Sequence, residues 1–181
     1  MKVFLKIFIP TAIVATILSG MIYAAVQQDL RLGANDPQIQ MAEDTAVRLE
    51  ANAPVATQVS SDKVDVAKSL APFLIVYNDE GQVQTASVSL NGQVPSLPNG
   101  VLDYTAEHGQ DRITWQPKEG VRIAAVVQKY KGGFVLAGRS LREIELREEK
   151  IQIITLLGWL VTIGALAIFT SGFVYFAKRK K

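Results

Sequence analysis

The sequence contains no cysteine. Disulfides, thiolate metal sites and a cysteine nucleophile are therefore excluded. A single histidine, His108, rules out any multi-histidine metal cluster. That histidine also lies outside any G-x-S-x-G context, so a Ser-His-Asp hydrolase finds no support. Neither a metal nor a cofactor is called for. Low-complexity tracts and internal repeats are missing too. Basic charge is scarce where a nucleic-acid binder needs it. Six of the 19 Lys+Arg residues (Lys2, Lys6, Lys178, Arg179, Lys180, Lys181) sit at the two ends. The other 13 lie between Asp29 and Lys150 with all 17 acids, so the middle carries −4 and the ends +6. A nucleic-acid-binding domain concentrates positive charge on its folded part. The pI near 8.8 thus reports on topology, and no nucleic-acid partner is expected.

Charge is absent altogether from two long runs, Ile7 to Gln28 and Ile151 to Ala177. A hydrocarbon core of about 30 Å needs roughly 20 helical residues, and both runs exceed that. The competing reading of the first run is a cleaved signal peptide, since Lys2 and Lys6 form a short basic start. The run is longer than the usual apolar region of about 7–15 residues, and Tyr23-Ala24-Ala25 is a poor A-x-A site. Trp159 and Tyr175 suit the two interfaces of the second span. Basic residues flank the outer end of each run, which by the positive-inside rule places both termini in the cytoplasm. The expected layout is a cytoplasmic N-terminus (1–6), a first transmembrane helix (7–28), an extracytoplasmic domain (29–150), a second transmembrane helix (151–177) and a cytoplasmic tail (178–181). The location is the cell membrane, crossed twice.

Within the first run, Ala12, Thr16, Gly20 and Ala24 recur every four residues. Small residues at that spacing let helices approach closely in lipid. A homodimer, or pairing with another membrane protein, is expected there.

The middle segment reads as a mixed domain. Asn35-Asp36-Pro37 offers an Asp N-cap with Pro at the first helical position. Ile39, Ala42, Ala46, Leu49 and Ala53 then follow helical spacing until Pro54. A second short helix is expected from Asp62 to Ala71. The period then changes. Phe73–Tyr77, the turn Asn78-Asp79-Glu80-Gly81 and Gln82–Leu90 form a β-hairpin. Residues 91–100 are a loop, and Val101–Glu107 a short helix stopped by Gly109. Three strands follow, at Arg112–Gln116, Val121–Tyr130 and Phe134–Ala137. Ser140-Leu141-Arg142-Glu143 has the S-x-x-E form of a capping box. From there one helix of roughly 35 residues is expected to run from a sheet edge into the second span, coupling strand to membrane through Ser140 and Glu143.

Five side chains are the candidates for ligand recognition: Tyr77, Tyr104, Arg112, Trp115 and Arg122. Binding pockets are mostly apolar with a few convergent polar groups, and Arg122 interrupts an otherwise apolar strand. Tyr130 belongs to the same aromatic set. Asp79-Glu80 lacks the alternating oxygen ligands of a calcium loop and reads as a turn. His108 reads as a solvated helix end.

This order of elements resembles the extracytoplasmic PAS-like (single Cache type) sensor domains of bacterial sensor histidine kinases and chemoreceptors. The resemblance rests on Phe73–Gly81, Arg112-Ile113-Thr114-Trp115-Gln116-Pro117, Val121–Ala124 and Val135–Leu141. It implies an α+β fold, an antiparallel sheet with flanking helices between two transmembrane helices. Only four residues follow Ala177, whereas such receptors continue into a HAMP, kinase or signalling domain. The expectation is therefore a sensor or accessory module, not an enzyme, that binds a small molecule or a protein and acts through a partner. The alternative is a non-sensing scaffold of a membrane or envelope complex.

Overall fold

The structure, a computed structural model, describes residues 1–33 and 35–179; Lys180 and Lys181 of the basic tail lie outside the described residues. Along the chain come α1 (Lys2–Gly33), α2 (Asp36–Glu50), α3 (Val55–Gln58), β1 (Val64–Asp65), β2 (Phe73–Tyr77), β3 (Val83–Ala86) and β4 (Val88–Ser89). Then follow α4 (Val101–His108), β5 (Gln110–Lys118), β6 (Val121–Tyr130), β7 (Gly133–Ser140) and α5 (Arg142–Arg179). They divide into two units, Arg31–Glu145 and Met1–Leu30 with Leu146–Lys181.

The first of these units is α+β. Its sheet has five antiparallel strands in the order β3-β2-β7-β6-β5, and a separate parallel pair joins β1 to β4. β7 is thus the middle strand, not the sheet edge expected for the strand that leads into α5. Its sequence already fits that position, because seven of its eight residues are buried. A strand buried on both faces belongs inside a sheet. The edge goes instead to β5, where Pro117 sits beside a register shift between Trp115 and Lys118. Proline removes a ladder donor, and an edge tolerates that loss.

Alternation sends side chains to two apolar layers. Phe73, Ile75, Tyr77, Trp115, Ile123, Val127 and Leu136 share one cluster with Val88, Leu90 and Val101 from β4, its following turn and α4. On the opposite face, Val76, Val126, Val135 and Ala137 meet α2 through Ala42, Ala46 and Leu49. Burying each large apolar side chain stabilises the domain by about 1.5–3 kcal/mol before entropy.

Several local expectations shift. α2 begins at Asp36 with Asn35 at the N-cap and no side-chain cap bond, so Asp36 is the first helical residue rather than the cap. The helix ends before Ala53 and Pro54, because Asn52 adopts φ +65° and Ala53 N–H turns back to the Arg48 carbonyl at 3.0 Å. No helix forms over Asp62–Ala71. Val64 and Val66 instead donate to the Ser87 and Ser89 carbonyls at 2.7 and 3.0 Å, which draws the segment into a parallel ladder. The Asp65 carboxylate then accepts the Ala67 N–H at 3.1 Å and closes a single turn. The expected strand Gln82–Leu90 is divided at Ser87. Its hydroxyl accepts the Leu74 N–H at 2.9 Å, leaving the Ser87 carbonyl for Val64.

The capping box also moves by one residue. Ser140 stays in the ladder, paired with Ile123, and Leu141 N–H donates to the Arg122 carbonyl at 2.9 Å. Leu141 is therefore the residue whose carbonyl accepts the first helical bond, from Glu145 at 3.0 Å. Ser140 Oγ accepts from Arg142 N–H, at a long 3.4 Å. Glu143 lies in the first turn of α5.

The second unit consists of two helices long and apolar enough to cross a membrane. Trp159 Nε1 donates to Thr16 Oγ1 at 2.9 Å, and Thr16 in turn donates to the Ala12 carbonyl at 2.8 Å. Beside this bond lies a shallow recess of about 260 Å³, lined in part by Ser19, Gly20, Gln152 and Thr155. Along the small-residue ladder, Thr16, Gly20 and Ala24 remain exposed. A Cβ at Gly20 would meet nothing within 4 Å.

Candidate functional site

The turn of the β2–β3 hairpin and the start of α4 frame a cleft of about 460 Å³. That size lies within the range of small-molecule pockets, about 300–1,000 Å³. Hairpin geometry places one wall. Asn78 Oδ1 accepts the Gln82 N–H at 2.7 Å, and Gly81 takes φ +76°, a conformation glycine reaches without steric cost. Its missing side chain matters as well, since a Cβ there would lie 3.0 Å from Leu102 Cδ1. The other wall is the loop Val94–Gly100, carrying Pro95, Leu97 and Pro98, which leads into α4.

Tyr77 lines this cleft and is only 4% exposed. Burial raises its hydroxyl pKa well above the ordinary tyrosine value, so the group stays neutral at physiological pH. Two carboxylates also line the cleft, Glu80 from the hairpin turn and Asp103 from the first turn of α4. Both are exposed, and neither has an ion-pair partner among the described residues. No lysine, arginine or histidine lines it. Among the described residues no cluster of three or more metal-ligating side chains exists.

The five candidates from the sequence do not converge on one pocket. Tyr77 lines the cleft. Trp115 faces the same side of the sheet but sits in the filled core, opposite Ile123 on β6, with its indole Nε1 buried and unpartnered. Arg112 pairs in register with Val126 and so lies on the α2 face, exposed, with its Nε donating to Gln110 Oε1 at 3.3 Å. Arg122 shares that face and donates to Glu145 Oε1 at 2.7 Å. Tyr104 stands on the outer surface of α4, 49% exposed and stacked on His108 at 3.9 Å. The strand period of two separates the four strand residues, because one step along a strand reverses the face, and Tyr104 belongs to a helix.

Glu80, Asp103 and Leu97 are the cleft residues that sequence reasoning missed. By sequence Glu80 reads only as a turn residue, and 91–100 only as a connecting loop. Pro95, Leu97 and Pro98 were the available signal, three apolar residues within one short loop.

A second cleft, about 650 Å³, runs along the open edge of β3, between Gln84–Ala86 and the segment carrying Val59, Ser60 and Lys63. Among the described residues, the buried polar atoms without a partner are Trp115 Nε1, Gln38 Oε1 and Arg139 Nε, and none of these residues lines the cleft beside Tyr77. No protein-family model matches this chain, and neither a curated protein nor a solved structure matches it.

Proposed function

We propose that this is a two-pass membrane protein whose outer domain, of PAS-like (single Cache type) build, binds a small molecule or a protein and biases a partner through its membrane helices. The observation that carries this reading is α5. It begins two residues after β7, the middle strand of the sheet, and continues as one helix from Arg142 to Arg179. A ligand biases such an element only if it binds its two positions with different free energy. β7 pairs with β2 through Tyr77↔Phe134, so the strand that carries the cleft tyrosine is hydrogen-bonded to the strand that precedes α5.

Support for the membrane comes from outward-facing side chains. Ile13, Leu18, Ile154 and Phe169 are each more than half exposed on the two long helices. Soluble monomers rarely present contiguous apolar patches larger than a few hundred Å². The basic residues at both ends support a cytoplasmic location of the termini under the positive-inside rule.

A second reading, a scaffold that holds a complex together without a ligand, is favoured by one observation. Both faces of the sheet are filled, and Arg122 is paired with Glu145 rather than aimed at a pocket. Inserting two glycines after Leu141 separates the two readings. In the sensor reading the insertion abolishes the partner's response while partner capture persists. Equal response from wild type and insertion leaves the scaffold. C-terminal reporter fusions should be active only with cytoplasmic reporters, and an externally accessible C-terminus would reject the topology.

A further inference from the structure

We propose that the first turn of α5 is a releasable joint, held to the sheet and its neighbours by two guanidinium straps, one of which, Arg142, passes displacement of β1 on to α5. The inference rests on reading α5 as the output element, and it names a second input besides β7. Arg142 Nη1 donates to the Ala67 carbonyl at 3.2 Å and Nη2 to the Lys68 carbonyl at 2.9 Å. Those carbonyls lie in a single turn, where the Lys68 and Ser69 N–H groups donate to the Asp65 carbonyl at 3.0 and 2.8 Å. A basic side chain at the end of a helical turn satisfies carbonyls that no further amide meets. The position is otherwise a poor one for a cation. Arg142 is the first residue of α5, where the positive end of the helix dipole disfavours positive charge. Two bonds to the β1 turn offset that cost.

Neither end of the strap hangs free. Val66 is 2% exposed within the main apolar cluster, and Val64 and Val66 hold their segment to β4 through the Ser87 and Ser89 carbonyls. Ile144, two residues past Arg142, is itself buried. The second strap comes from the opposite face of the sheet, where Arg122 on β6 donates to Glu145 Oε1 at 2.7 Å. The first turn of α5 is thus gripped from both faces. Both arginines are exposed, so water competes for these bonds and each contributes modestly. Either can open without exposing apolar core. A movement of β1 along β4 carries Ala67 and Lys68 with it, and the forked guanidinium, bonded to both, follows.

The chain has no cysteine, so spin labels attach only where cysteines are introduced. Val47→Cys on α2 and Glu149→Cys on α5 are both exposed positions. The distance between them is read by double electron–electron resonance on the full chain in neutral-lipid nanodiscs, diluted with unlabelled chain. Arg142→Gln and Glu145→Gln should each broaden the distance distribution. Together they should broaden it by more than the sum, because each strap holds while the other is open. Val64→Pro removes the N–H that the Ser87 carbonyl accepts and so loosens β1. It should shift the distance in the wild-type background and cause no shift once Arg142→Gln has cut the strap. Circular dichroism and amide exchange in β6 and β7 check that the sheet is intact. Should Val64→Pro disturb the sheet, Asp65→Ala replaces it, removing the carboxylate that accepts the Ala67 N–H. An unchanged distribution in Arg142→Gln with Glu145→Gln overturns the joint. So does loosening of β1 that leaves the wild-type distance unmoved, or that moves it equally with and without Arg142. The glycine insertion after Leu141 still decides between sensor and scaffold, so the two failures stay distinct.

Discussion

Phe73 and Gly138 stand directly opposite each other on β2 and β7, and the Phe73 ring occupies the space a side chain on residue 138 would need. A Cβ at 138 would lie 2.5 Å from Phe73 Cζ. Phe73 is 1% exposed and cannot swing out to solvent. Gly138→Ala should therefore destabilise the domain by about 1–3 kcal/mol, the usual cost of overpacking a filled core. Urea unfolding of the segment 31–145, which has its own core, measures this. Adding Phe73→Leu should recover part of the loss, since residues in contact are not additive. Simple additivity of the two changes would refute the steric account.

Alkaline pH should act through Tyr77. Burial raises its pKa in the folded protein, so the native state keeps a proton that the unfolded chain releases near pH 10. The associated stability is complete below about pH 10 and is lost as pH rises above it. Tyr130 acts in the same direction, through burial first and the nearby Asp79 second. Tyr77→Phe should flatten the fall in urea midpoint between pH 9 and 11, and Tyr77→Phe with Tyr130→Phe should flatten it further (both pH values being about one unit either side of the unfolded tyrosine pKa). An unchanged fall in both variants would contradict the assignment.

The ion pair between Arg122 and Glu145 spans 2.7 Å with side chains 51% and 42% exposed. At that exposure water screens most of the attraction, and a coupling of about 0.2–1 kcal/mol is expected from a double-mutant cycle. It should shrink further in added salt. A coupling above roughly 2 kcal/mol would mean a desolvated site and would return Arg122 to the list of ligand candidates.

Gly20 offers a test of association. A Cβ at Gly20 would meet nothing within 4 Å in the single chain, so the first carbon of Gly20→Ile is accommodated beside the α1–α5 contact at Thr16 and Trp159. The substitution should nevertheless weaken crosslinking between chains through cysteines introduced on the Ala12–Ala24 face, because small residues are what permit close approach. Crosslinking at the wild-type level would exclude that face as the interface.

The two apolar helices, the hairpin at Phe73 and the strands over β5, β6 and β7 were legible because each depends on local pattern. Runs without charge, a period of two and glycine punctuation are properties of neighbouring residues. The helix expected over Asp62–Ala71 failed for the opposite reason. Val64 and Val66 find their acceptors on Ser87 and Ser89, more than twenty residues away, and no local propensity reports such a partner. The capping box at Ser140 failed similarly, because the ladder with Ile123 holds the serine extended and delays the helix by one residue.

By itself the amino-acid sequence determined the charge segregation, the two long apolar helices and the α+β character of the segment between them, since these follow from composition and period. Only the tertiary structure decided that β7 lies in the middle of the sheet and that Arg112 and Arg122 stand on the face opposite Tyr77 and Trp115. It alone brought Glu80 and Asp103, 23 positions apart in the chain, to the same cleft. Strand order and facing depend on which distant segments exchange hydrogen bonds, and a change of one residue in register reverses every side chain.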